Sequence, residues 1–293
     1  MIKEIIKEII KKNSTWIRRA CSVLLIFATG CGLIYVMQDS MMFHNVNDQG
    51  SRKFLQNMSG YSDVMFTAGN GKTYHGMMHQ TSNEKSPLVI YFGGNGEVSY
   101  RNLRMHDALN QWRYFAGYNY LFVDYEGYGL NDGRPHYLNM YEHSIAVFDY
   151  AASLQNIDSS RIVVMGYSLG TGSAVYLAAN RLVAGLILIA PFANGYDLYN
   201  NILPIFAGPM RLLVKQKFPS DKYAPHVICP TLIIASRNDE LIPFSSSQRL
   251  SKLFSDNVDF MALDNVRHNY IFQIRGVFSR VQSFLEEVAA GKM

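Results

Sequence analysis

Three residues stand out for the chemistry their types permit: Ser168, Asp239 and His268. A serine hydroxyl is a poor nucleophile until a base takes its proton. That base is most often a histidine, and the histidine in turn needs a carboxylate to orient it. Ser168 lies in "RIVVMGYSLGTGSAV" (161–175), where a run of β-branched residues meets a serine between two glycines. Asp239 lies in "SRNDELIP" and His268 in "NVRHNY". A Gly-x-Ser-x-Gly pentapeptide is common, and alone it reads equally well as an ordinary strand-to-helix turn. The case for chemistry depends on whether the chain brings the other two residues to the same place.

The elements that must do so are legible as short apolar runs rich in Val, Ile and aromatics: "PLVIYFGG" (87–94), "YNYLFVDY" (118–125), "RIVVMGYS" (161–168), "AGLILIAP" (184–191), "PTLIIAS" (230–236) and "VDFMALD" (258–264). Mixed segments with helical spacing separate them, among them 97–111, 137–155 and 244–254. This alternation predicts an α/β fold with a mostly parallel sheet and helices on both faces. "DVMFTAGNGKTYHGMMHQ" (63–80) predicts an antiparallel hairpin turning at Gly69-Asn70-Gly71. The interval 193–229 is too long and too apolar for a simple connection, and predicts helices packed over one edge of the sheet.

In a parallel sheet, ligands bind at the carboxyl ends of the strands. Ser168, Asp239 and His268 each follow a predicted strand, so all three fall on that edge. Of eight histidines, only His268 comes after the last strand. Gly166 and Gly170 remove side chains where the strand-to-helix turn is tightest, which lets Ser168 adopt the strained, exposed conformation of a nucleophile elbow. The helix that follows aims its positive end at the same point. An oxyanion needs backbone N–H donors. "YFGGNGE" (91–97) offers Gly94 or Asn95, and Leu169 directly follows the nucleophile. Asp264 and Glu240 compete with Asp239 for the role of orienting acid, and Asp239 is preferred because it comes first after its strand.

The pieces "YFGGNGE", "VDYEGYGLNDGRP", "GYSLGTGSA", "IAPF", "CPTLII", "NDELIP" and "RHN" resemble the α/β-hydrolase superfamily. The resemblance is closest to its membrane-anchored members, often labelled serine aminopeptidase-like. It covers about 39–293 and includes "QDSMMFHN" (38–45), which is similar to a stretch that follows the membrane span in those proteins. It implies an eight-stranded sheet, a short helical lid at 193–229, and a Ser-Asp-His triad in that chain order. It also implies hydrolysis of an ester, thioester or amide through an acyl-enzyme, with no cofactor. Two positions depart from the pattern: Gly93-Gly94 stands where many relatives have His-Gly, and Ser236-Arg237 stands where many have a Gly before the acid. A non-catalytic, membrane-tethered binding protein stays open beside the hydrolase, as does a peptidase or acyltransferase of the same fold. Asp124 and Glu126, in "VDYEGYGLNDGRP", are read as members of a structural loop.

Composition agrees with an ordinary domain carrying a basic leader. Apolar residues make up 48% of the 293 and charged residues 17%, which suits a large buried core. The net charge of +4 is all accounted for by residues 1–19, so the body is formally neutral. A neutral body lacks the basic face that nucleic acid requires. The three cysteines show no metal-ligand spacing, and Cys229 is expected to be a small buried residue. In 1–19, Ile2, Ile5, Ile6, Ile9 and Ile10 fall on one helical face, giving a basic amphipathic segment expected in the cytoplasm. From 20 to 37 no charge interrupts the apolar run, near the lower length limit for a membrane-spanning helix. Arg18 and Arg19 precede it, and the next basic residue is Arg52, so the N-terminus is expected in the cytoplasm and the domain at 40–293 outside it. The alternative is a lipoprotein signal: "FATGC" resembles a lipobox with Cys31 as the lipidated residue, although Ala28 stands where Leu is usual. Either way the expected partners are the membrane and a small lipophilic acyl substrate.

Overall fold

The computed structural model describes residues 2–292 apart from Asn45, Asn47, Asp48, Ser82, Asn83, Ala116, Leu203, Ala207 and 255–257. The side chains of 2, 3, 5–12, 15, 41, 49 and 202 also lie outside the described set, and with them the predicted isoleucine face of the leader.

The strands are β1 (Tyr61–Thr67), β2 (Thr73–His79), β3 (Ser86–Phe92), β4 (Asn119–Val123), β5 (Ile157–Tyr167), β6 (Gly185–Ile189), β7 (Thr231–Ser236) and β8 (Val258–Leu263). They form one sheet in the order β1-β2-β4-β3-β5-β6-β7-β8. Among the described strands, only β2 runs opposite to the rest. The hairpin forms as predicted, with Thr67 opposite Thr73 across the glycine-containing turn. Every residue of β4, β6 and β7 is buried. That explains why their sequences are mostly apolar and do not alternate: a parallel strand covered on both faces has no solvent side to alternate with. The edge strand β1 alternates instead, burying Val64 between exposed neighbours.

The helices are α1 (Ile2–Met42), α2 (Gln49–Leu55), α3 (Ser99–Ala108), α4 (Tyr137–Ser153), α5 (Gly170–Asn180), α6 (Gly195–Ile202), α7 (Ser220–Tyr223), α8 (Phe244–Ser251) and α9 (Arg275–Ala289). Helices α4 and α5 pack together on one face of the sheet; α3 and α9 cover the other. Adjacent residues of β3 show the division, since successive side chains point to opposite faces. Phe92 meets His143 of α4, whereas Tyr91 stacks on Tyr120, which meets His106 of α3. Helix α4 buries Met140, Tyr141, Ser144, Val147, Phe148 and Ala151, a stripe of helical period that fixes which side faces the sheet.

Within α1, Trp16–Ser40 is long and apolar enough to cross a membrane, and none of its most apolar window is buried against the body. This stretch contains the run at 20–37, which is therefore not a core helix. Cys229 is buried, and burial pushes its thiol up to about 12, as suits an inert packing residue.

Candidate active site

Strand order reverses between β3 and β5: from β3 the chain goes to β4 on one side, then crosses to β5 on the other. A crevice opens outside the carboxyl ends of two such strands. The register places Phe92 beside Gly166, so the loop after β3 and the turn after β5 lie side by side. Asp239 and His268 follow β7 and β8 on the same edge.

Ser168 directly follows β5 with φ at +49°, a left-handed conformation that non-glycine residues rarely adopt. Its N–H is held by the Ile189 carbonyl at 2.9 Å, and its carbonyl accepts from Thr171 Oγ1 at 2.6 Å. The flanking glycines let the turn close this tightly. A Cβ on Gly166 would meet Ala174 Cβ, Gly170 O and Thr171 Cα, each at 2.8 Å, and one on Gly170 would fall onto the Phe92 carbonyl. Strain of this kind costs on the order of 1–3 kcal/mol and persists only where the surroundings enforce it.

The structure brings the three predicted residues into one hydrogen-bonded chain. Ser168 Oγ lies 2.9 Å from His268 Nε2, and His268 Nδ1 lies 2.7 Å from Asp239 Oδ2. A carboxylate only accepts, so Nδ1 carries the proton and the Nε2 lone pair faces the serine hydroxyl. The other oxygen of Asp239 accepts the N–H groups of Leu241 at 2.9 Å and Ile242 at 2.8 Å. The competing acids lie elsewhere: Asp264 is exposed and paired with Arg237 at 3.2 Å, and Glu240 accepts the His268 backbone N–H while pairing with Arg267. Ser168 is 9% exposed, His268 3% and the Asp239 side chain 2%. The network is thus nearly dry except at the hydroxyl. Ser236, one of the two departures from the family pattern, donates its hydroxyl to the Val266 carbonyl and ties the loop carrying His268 to the end of β7.

Gly94 sits directly against Ser168. A Cβ there would meet the Tyr167 ring at 2.8 Å and Ser168 Cβ at 3.6 Å. Its N–H is engaged, donating to Glu97 Oε2 at 2.8 Å. No described residue engages the N–H of Asn95 or of Leu169, so these two donors are left free beside the serine. The Glu97 carboxyl also accepts from Tyr91 Oη at 2.8 Å, and burial raises it above the usual carboxylate range. Sequence reasoning missed both Glu97 and Tyr167, whose ring stacks on His268 with centroids 5.2 Å apart. Asp124 and Glu126 are structural, as read. Asp124 accepts the Ser99 N–H at 2.6 Å and its hydroxyl at 2.8 Å at the start of α3, and burial pushes its carboxyl up to about 7. Glu126 joins Lys72 to Asn139.

A cavity of about 210 Å³ lies over Ser168 and Leu169. Leu198, Tyr199 and Phe206 of the 193–229 interval line it, with Leu241 and Ile242 after Asp239 and a further wall from α1. Leu203 lies outside the described residues.

A sequence model of the alpha/beta hydrolase family matches residues 94–256, and the chain belongs to that family. An uncharacterized protein of Mycobacterium tuberculosis is 29% identical over 211 residues, 71% of this chain and 73% of that protein. A Danio rerio protein named lysophosphatidylserine lipase ABHD12 is 26% identical over 215 residues, covering 64% of this chain and 55% of that one. Among solved structures, the Pyrococcus furiosus esterase Pf2001 superposes with a TM-score of 0.66 at 20% identity, covering 84% of this chain and 98% of that one. The last likeness establishes the fold alone.

Proposed function

We propose that this chain is a membrane-anchored serine hydrolase that cleaves a lipophilic acyl ester, or a thioester or amide of the same acyl group, through an acyl-enzyme. The observation that carries the reading is the unbroken chain from Ser168 Oγ through His268 to Asp239, mounted on a strained turn at the floor of an apolar cavity. His268 Nε2 takes the hydroxyl proton as Oγ forms a bond to the carbonyl carbon. The carbonyl oxygen becomes an oxyanion, and the free N–H groups of Asn95 and Leu169 are the donors that receive it. The tetrahedral centre collapses, its bond to the leaving group breaks, and the proton on Nε2 passes to that group. Water then repeats the sequence on the acyl-serine, releasing the acid and returning the proton to Ser168. His268 must be neutral to accept the hydroxyl proton. A relative named as a lipase supports an acyl substrate. The test is reaction of the purified chain with a fluorophosphonate probe, beside a panel of p-nitrophenyl esters and aminoacyl anilides. Labelling together with ester hydrolysis is expected; a chain that neither labels nor turns over any of them is a binding protein.

The same reading places the run at 20–37 across a membrane, with 1–19 in the cytoplasm and the domain outside it. Its support is the exposed apolar helix and the charge beside it, since Arg18 and Arg19 directly precede the run and the next Lys or Arg after it is Arg52. A reporter active only outside the cytoplasm, fused after Met293, should be active. A stronger signal from a cytoplasm-only reporter at that site reverses the topology. Lipidation at Cys31 also exports and tethers the domain, and a shift in the mass of the N-terminus distinguishes it from an uncleaved anchor.

A further inference from the structure

We propose that the last turns of the membrane helix are a wall of the acyl site, so that the substrate is an acyl lipid resident in the leaflet beside the domain and reaches Ser168 along α1. The proposal rests on the serine-hydrolase reading and adds the substrate's source and the residues that select it.

Three residues of α1, namely Ile34, Gln38 and Met42, line the cavity that holds Ser168. They recur every four positions and so form one stripe of the helix. At 1.5 Å per residue the stripe is about 12 Å long. It begins within the apolar run at Ile34 and ends beyond it at Met42. The cavity wall is therefore continuous with the part of the helix that a bilayer would surround.

The end of α1 is fixed to the body rather than loosely tethered. Gln38 is buried, donates from Nε2 to the Leu213 carbonyl at 2.7 Å and accepts from Lys215 N–H at 2.8 Å. Asp39 accepts from Gln216 Nε2 at 2.6 Å and pairs with Lys215. The chain after the helix is held by the loop at the nucleophile: His44 N–H donates to Asn95 Oδ1 at 2.9 Å, and Asn95 Nδ2 donates to the Met42 carbonyl. Asn95 is the residue whose own N–H is free beside Ser168. One side chain thus links the membrane helix to a donor of the reaction centre.

The surface around this junction suits the boundary between hydrocarbon and headgroups. Leu212 is 86% exposed beside Leu213, Lys215 Nζ lies 5.7 Å from the Tyr35 ring, and the Arg211 guanidinium lies 4.0 Å from that of Tyr196. Exposed leucine, basic heads on aromatic faces and tyrosine at the end of an apolar helix are what a membrane interface favours. An acyl chain entering between α1 and the lid segment passes from hydrocarbon to an apolar cavity without crossing water. A cavity of about 150 Å³ holds a benzene-sized solute, so this one holds part of a single chain.

The test uses the full chain in phosphatidylcholine vesicles, with p-nitrophenyl acetate and octanoate as probes. Ile34→Trp narrows the cavity and should lower the octanoate-to-acetate ratio of kcat/KM at least tenfold. Ile34→Ala widens it and should move the preferred chain to a longer ester. Leu33→Trp, on the exposed side of the same helix, should leave the ratio within twofold. The ratio is insensitive to a misfolded fraction, which lowers both rates equally. For the route, a fluorogenic palmitoyl ester should be hydrolysed at least tenfold faster in the same vesicles as the protein than in separate ones. An unchanged ratio in both Ile34 variants overturns the pocket wall, and equal rates in shared and separate vesicles overturn the leaflet route. A wild-type chain that hydrolyses neither p-nitrophenyl ester overturns the hydrolase reading itself, and this inference with it.

Discussion

Ser168→Ala should abolish fluorophosphonate labelling and lower ester hydrolysis by about 10⁶-fold, the scale seen when a triad nucleophile is removed, equivalent to about 8 kcal/mol of barrier. The fold should survive. Ser168 Oγ makes one side-chain hydrogen bond, to His268, and losing such a bond costs about 1 kcal/mol of stability. Alanine keeps the Cβ that makes φ of +49° unfavourable, so it neither adds nor relieves backbone strain. Glycine would relieve it. Ser168→Gly should therefore be as inactive as Ser168→Ala while melting at a higher temperature. That pairing separates a strained elbow from an ordinary loop serine, for which the glycine variant would melt lower through its greater chain entropy. Retained labelling in either variant would show that the probe reacts elsewhere and that Ser168 is not the nucleophile.

The parts of this architecture that were legible in the sequence are those set by local pattern. A strand buried on both faces is mostly apolar, and β3, β4, β6, β7 and the second half of β5 (162–167) announced themselves by that rule. Gly166 and Gly170 marked the turn because a close backbone approach admits no side chain. Chain order then placed Asp239 after β7 and His268 after β8, on the sheet edge that carries Ser168, without any knowledge of distances. What stayed hidden depends on contacts remote in sequence. Glu97 reads as a charge in a glycine-rich loop; only folding buries it against Tyr91 and turns it toward the Gly94 N–H, and this is why Gly94 has no donor left to offer. Gln38 and Asp39 read as the polar end of a membrane anchor. Their partners, Leu213, Lys215 and Gln216, lie about 175 residues away, and no spacing rule connects them. The cavity wall at Ile34 was hidden for the same reason, since its residues look like any others in an apolar run.

The identity of the orienting acid is the second point where a large effect is expected. Asp239→Asn should lower kcat/KM for p-nitrophenyl butyrate by about 10⁴-fold, as in other triads whose aspartate is replaced by asparagine. The geometry here gives that loss a definite cause. Two backbone N–H groups, from Leu241 and Ile242, converge on Asp239 Oδ1 and require an acceptor there. An asparagine at this position must therefore direct its carbonyl oxygen to them and its NH₂ toward His268 Nδ1. A donor facing Nδ1 forces the other tautomer on the imidazole, with the proton on Nε2, so that the lone pair needed to accept from Ser168 is gone. The fold changes little, because the amide fills the same space and keeps both backbone bonds. Asp264→Asn provides the contrast, since Asp264 also lies near His268 in sequence, only four positions before it. Its side chain is 70% exposed and meets Arg237, and a surface pair of that kind contributes little to stability. Its replacement should leave the rate within about twofold, as befits a group with no contact to the triad. Measured side by side at one pH above neutrality, the two variants should differ by more than a thousandfold. A larger loss in Asp264→Asn than in Asp239→Asn would mean that the imidazole is oriented in solution by a carboxylate other than the one it touches here.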